Sequence, residues 1–172
     1  MSRAHWNEDE TFAPRKPSWC NRPLLSTKEE IERALKEATA SLKGDIKGAT
    51  ATLERAFALA QKSGTPEDAV IVAEELARVL ARRKLDAKAI VYARFASTAA
   101  GDRKNGFTTL AKTCELAATR RHATKPHGAR VLFRAASTAF QRAAALTKDP
   151  EDKRWLLELA KDAAKQTQPP KA

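Results

Sequence analysis

The sequence predicts an all-α protein of about seven helices, stacked as antiparallel hairpins behind an extended N-terminal arm. Three observations carry this. Apolar residues recur three and four positions apart in one segment after another, the spacing of one helix face. Much of the 42% hydrophobic content is alanine, the best helix former and a residue that lets helices pack closely. The six glycines and eight prolines fall mostly between the periodic segments, where helices start and stop. At 172 residues the chain is long enough for one domain with a true core.

Residues 1–25 read as a non-helical arm, because Pro14, Pro17 and Pro23 interrupt any regular element. The arm carries Trp6 and Trp19, together with Phe12, Leu24 and Leu25. Two roles fit these side chains. They pack along the helical body and tie the arm down, or they form a linear segment that docks into a partner.

A single helical domain spans residues 26–167. Its first helix opens at Ser26-Thr27-Lys28-Glu29, a capping box, with Thr27 and Glu30 offering a second one residue on. Ile31, Ala34, Leu35, Ala38 and Leu42 follow at helical spacing, and Gly44 suits the left-handed residue after a helix end. Asp45 caps the second helix, which turns Ile46, Ala49, Leu53, Ala56, Phe57 and Ala60 inward and stops at Gly64. Thr65-Pro66-Glu67-Asp68 places a cap, a proline at the first turn and two acids at the positive end of the helix dipole. The third helix then runs to about Arg83 with Ala69, Val72, Ala73, Leu76, Ala77 and Leu80 inward. Glu74 and Glu75 on it read as a solvated face.

Asp86 is expected to cap the fourth helix, which buries Ala89, Ile90, Ala93 and Ala96. Gly101-Asp102 repeats the stop-and-start pair of Gly44-Asp45. The fifth helix, about 103–121, buries Phe107, Leu110, Ala111, Cys114, Ala117 and Ala118. Thr124, Lys125 and Pro126 open a sixth, with Ala129, Leu132, Phe133, Ala136, Phe140 and Ala143 inward. Asp149-Pro150-Glu151-Asp152 reproduces the earlier start signal and opens a seventh, carrying Trp155, Leu156, Leu159, Ala160 and Ala163. Residues 168–172, QPPKA, form a disordered tail.

The first three hairpins recur every 37–39 residues, a period typical of stacked helix–turn–helix units. GDIKGATATLERAFALA, residues 44–60, resembles the second half of a tetratricopeptide repeat, with Gly44-Asp45 at the turn, Ala49 and Ala56 as small packing residues and Leu53 between them. Residues 76–96 are similar, through Leu76, Ala77 and Leu80, then Ala89, Ala93 and Ala96; Ala129, Phe133 and Ala136 repeat the pattern. The likeness covers about residues 27–147. The hairpins are longer than the family's, and Lys84 stands where the second unit would carry its turn glycine. A non-repetitive helical bundle is the alternative architecture. The resemblance implies a scaffold that binds peptides or proteins. It does not imply the carboxylate-capturing activity of some members, because the only asparagines are Asn7, Asn21 and Asn105.

Several function classes lack their residues. Cys20 and Cys114 have no partner motif, so no disulfide framework is implied. The N-terminus has three acids and no apolar core segment, and no apolar run reaches the ~18 residues of a membrane span. A cytoplasmic location is expected. There is no glycine-rich phosphate loop, no H-E-x-x-H and no C-x-x-C. Cys114, His122 and His127 could be gathered into a metal site only with a fourth ligand, which is missing. The expectation is a non-enzymatic protein with no cofactor and no metal.

The net charge of +11 is unevenly placed: residues 102–148 hold ten Lys and Arg against two acids, while the remaining segments nearly balance. TRRHATKPHGARVLFR, residues 119–134, has no acid at all. The cations of this hairpin are Arg103, Lys104, Lys112, Arg120, Arg121, Lys125, Arg130, Arg134 and Arg142, with His127 among them, and they are the candidate partner-binding residues. On the sixth helix His127, Arg130, Arg134 and Gln141 share one stripe away from the apolar face. Unpaired cations repel one another, so an absent anionic partner accounts for them better than packing does. An acidic protein or peptide is the expected partner. RNA or DNA bound through its backbone is the alternative, since arginine pairs well with phosphate but Phe107, Phe133 and Phe140 are expected inside and unable to stack on bases.

Overall fold

The computed structural model describes residues 26–99, 101 and 103–168. The arm with Trp6 and Trp19 and the end of the tail lie outside the described residues. Those residues form seven helices and no strand, and 84% of them are helical. In order these are α1 (Thr27–Ser41), α2 (Ile46–Ser63), α3 (Pro66–Arg82), α4 (Asp86–Ala99), α5 (Lys104–Arg121), α6 (Pro126–Leu146) and α7 (Pro150–Lys165).

The starts follow from the local chemistry. The Glu29 N–H donates to Ser26 Oγ at 3.3 Å, and the Ser26 N–H donates to the Glu29 carboxylate at 2.7 Å. Thr65 and Asp68 form the same reciprocal pair at the head of α3, with Pro66 in its first turn. Asp45 and Asp149 cap α2 and α7. Asp86 is used otherwise than expected: it is the first residue of α4, and its carboxylate accepts from Arg120. Gly44 takes no left-handed conformation. Lys84 does, at φ 60°, as does Gly101 at φ 58°, so the second unit keeps the turn its missing glycine would have eased.

Each helix packs on the next, and α3 also packs on α1 and α5. The odd helices α1, α3 and α5 thus form one continuous row. No comparable packing joins α2 to α4 or α4 to α6 among the described residues. α4 and α6 stand apart with α5 beneath them, and this leaves a groove between the two.

Two of the five core clusters among the described residues are the largest. Ile31, Leu53, Val72, Leu76, Val79 and Leu80 fill the space among α1, α2 and α3. Phe140, with Ala111, Ala143, Leu156 and Ala160, fills that among α5, α6 and α7. Phe57 meets Tyr92 and Phe95 edge-on, joining α2 to α4. Alanines lower the side-chain volume between helices and draw the backbones together. Gly106 marks the tightest approach, since a Cβ there would lie 2.7 Å from the carbonyl oxygen of Ala96. That glycine lets the start of α5 lie directly on α4.

Two expected positions differ. Trp155 is 47% exposed rather than inward, because Leu156, Ala160 and Ala163 take the buried stripe of α7. Glu74 is buried at 6% exposure rather than solvated. Its Oε1 has no hydrogen-bond partner among the described residues, and its nearest cation is Arg78 at 3.9 Å. The inward stripe of α3 is wide enough, with Val70 and Ala77 also buried, to carry Glu74 inside with it.

Burial raises the Glu74 carboxyl above the ordinary 4.5, while Arg78 and Arg103 oppose that shift. A raised native value means that the folded chain holds this proton more tightly than the unfolded chain does. The resulting stabilisation is complete below the unfolded value and is lost as pH rises through the native one. Glu74→Gln is therefore expected to stabilise the protein at pH 7 by about 1 kcal/mol. The gain should vanish in thermal unfolding at about pH 3, well below the ordinary glutamate value, where both side chains are neutral. An equal gain at both pH values would contradict the buried carboxylate as its source.

Candidate functional site

The α5–α6 hairpin carries all ten residues that the charge distribution singles out, but it divides them. Four make local contacts that hold the stack together. Arg103 reaches Glu67 at the head of α3 at 3.0 Å, and Lys104 reaches Asp152 at the head of α7 at 2.6 Å. Lys112 lies 5.3 Å from the Trp155 ring centroid, a cation–π contact. Arg120 turns away from the hairpin's outer side. It donates to the Ala81 carbonyl at 2.7 Å and to the Asp86 carboxylate at 2.6 Å, so it locks the end of α5 onto the α3–α4 turn.

Asp86 is only 11% exposed in its side chain, so removing the arginine strands a mostly buried carboxylate. Arg120→Ala is expected to cost about 2–3 kcal/mol, whereas its neighbour Arg121→Ala should cost under about 0.5 kcal/mol. Chemical denaturation of both variants checks this. Equal effects would show that Arg120 is only a surface cation.

The other six, Arg121, Lys125, His127, Arg130, Arg134 and Arg142, form no ion pair among the described residues. Three of them line two separate hollows. Arg130 lines a cavity of ≈ 260 Å³ with His122, Pro126, Lys165 and Gln166, between the α5–α6 turn and the end of α7. Arg134 and Arg142 line a larger groove of ≈ 850 Å³ between α4 and α6. Arg130 and Arg134, expected to share one stripe, therefore line different hollows.

Phe107, Leu110 and Cys114 of α5 form the groove's floor, and Val131, Ala135 and Leu146 of α6 line its side. Arg94 of α4 faces Arg134 and Arg142 across it. Cys114 is 1% exposed, and burial pushes its thiol up to about 11, so it serves as apolar floor and not as a nucleophile at neutral pH. His122 meets Phe133 edge-on, which keeps it from Cys114. Among the described residues, no group of three His, Cys, Asp or Glu side chains could hold a metal ion.

Arg94 was not among the residues predicted from charge, because residues 65–101 are nearly balanced. A different signal marks it. Residues 91–98, VYARFAST, and residues 131–138, VLFRAAST, share Val, Arg, Ala, Ser and Thr in register. Val91 is 64% exposed and Val131 53% exposed. Thr98 donates to the Arg94 carbonyl at 2.9 Å, and Thr138 to the Arg134 carbonyl at 3.1 Å. Ser97 and Ser137 are buried. α4 and α6 therefore repeat one pattern, each with an exposed valine and an exposed arginine, of which Arg94, Val131 and Arg134 line the groove.

No helix among the described residues is long and apolar enough to cross a membrane. Comparison with family models, curated proteins and solved structures finds no match to this chain.

Proposed function

We propose that this chain is a non-enzymatic, cytoplasmic adaptor that binds an acidic protein or peptide through the α5–α6 hairpin. One observation carries it: six cations cluster on that hairpin without ion pairs among the described residues, while acids and bases elsewhere nearly balance. Mutual repulsion makes such a cluster costly to the free protein. A partner's carboxylates would relieve it.

Two further points support a protein over a nucleic acid. Phe133 and Phe140 are buried, so neither ring offers a platform for stacked bases. The likeness to tetratricopeptide repeats supports a hairpin stack used to hold other polypeptides. Backbone-directed RNA or DNA binding rests on the same cations and is the competing outcome. Capture from native lysate, with and without nuclease and with an Arg130→Glu, Arg134→Glu bait as control, separates the two. Acidic proteins retained after nuclease by the wild type alone are the expected result. Loss of all captured material on nuclease treatment would replace the adaptor with a nucleic-acid binder.

A further inference from the structure

We infer that the groove between α4 and α6 receives one amphipathic helix of a partner protein, apolar on its inner stripe and acidic on both flanks. The inference rests on the adaptor function proposed above and adds the place and form of the contact.

The backbone supplies the shape. α4 and α6 both pack closely on α5 and not comparably on each other, so they stand as two walls over a helical floor. A helix laid between them meets ridges on three sides, the geometry in which helices pack well. The side chains supply the polarity. Leu110 and Phe107 below and Val131 at the side offer apolar surface, which a phosphate backbone could not use but a leucine or valine stripe could. The groove's threonines already donate to carbonyls of their own helices. The arginines are its unsatisfied polar groups.

Those arginines set the spacing of the acids. Arg134 and Arg142 are eight residues apart on α6, or about 12 Å at 1.5 Å per residue. A helix running along α6 would match them with carboxylates seven or eight residues apart, the recurrence of one helical face. Arg94, on the opposite wall, would take a carboxylate from the other flank. The α4 wall offers Arg94, Ser97 and Thr98, and the α6 wall offers Val131, Arg134 and Arg142, so each flank meets at least one arginine. One acidic flank alone would leave a wall unpaired.

The test uses the full chain and a labelled helical peptide of about 18 residues, with leucines on one stripe and glutamates on both flanks, against an isomer with the same residues scrambled. Fluorescence anisotropy should show at least about tenfold tighter binding of the amphipathic peptide. Val131→Asp, at a half-exposed site that folding tolerates, should remove that preference, and circular dichroism should confirm an intact fold. Equal binding of the two isomers would overturn the groove while leaving an acidic partner standing. Absence of binding by either would overturn both. A full chain carrying Glu8→Lys, Asp9→Lys and Glu10→Lys that bound the peptide about tenfold more tightly than the wild type would give the groove to the chain's own N-terminal segment, and would also overturn the inference.

Discussion

Phe140→Ala is expected to lower the unfolding free energy by about 3–5 kcal/mol, a large share of the roughly 5–15 kcal/mol typical of a domain. Phe140 is fully buried among Ala111, Ala143, Leu156 and Ala160. Its neighbours are mostly alanines, which have no rotamers with which to fill the space it leaves. The three backbones α5, α6 and α7 would have to move together, and the tight contact of Gly106 on Ala96 resists that movement in α5. A cavity therefore remains, and its cost adds to the lost burial. Urea unfolding of the variant should show the loss as a lower midpoint. A change under about 1 kcal/mol would mean that the alanine-rich core collapses freely, against the close packing described here.

Arg130→Glu with Arg134→Glu should weaken partner binding by about tenfold to a hundredfold while leaving the helical spectrum unchanged. The fold is spared because Arg134 is exposed and neither residue pairs with an acid among the described residues. Binding suffers twice: favourable contacts are lost and repulsive ones replace them. The same reversal at Arg103 or Arg120 would confuse the two effects, since each holds an acid of another helix. Competition binding with each variant measures the difference. Wild-type affinity in the double variant would show the hairpin's charge to be a soluble face only.

The helices were legible because their signals are local. The boxes at Ser26 and Thr65 and the prolines at positions 66, 126 and 150 fix starts through bonds within one turn. The inward faces of α3 and α5 followed from spacing alone. Glu74 and Trp155 did not, because each lies at the margin of a stripe, and the breadth of the buried face depends on how many neighbours cover it. The site was legible as a charged region and illegible as a geometry. Composition marks residues 119–134, but it cannot show that Arg120 finds Asp86 while Arg134 faces Arg94 across a groove. Those pairings depend on how successive hairpins stack. The VYARFAST and VLFRAAST repeat was the one sequence signal able to point to Arg94.

The most direct test of an acidic protein partner is a paired anisotropy titration of the full chain at about 0.15 M salt, where the Debye length is about 8 Å. One probe is the acidic amphipathic peptide, and the other is a single-stranded RNA of equal net charge. The expected result is tighter binding of the peptide, since it alone can bury apolar surface in the groove, with the RNA weakening steeply as salt rises. Tighter binding of the RNA, with displacement of the peptide by it, would contradict the adaptor.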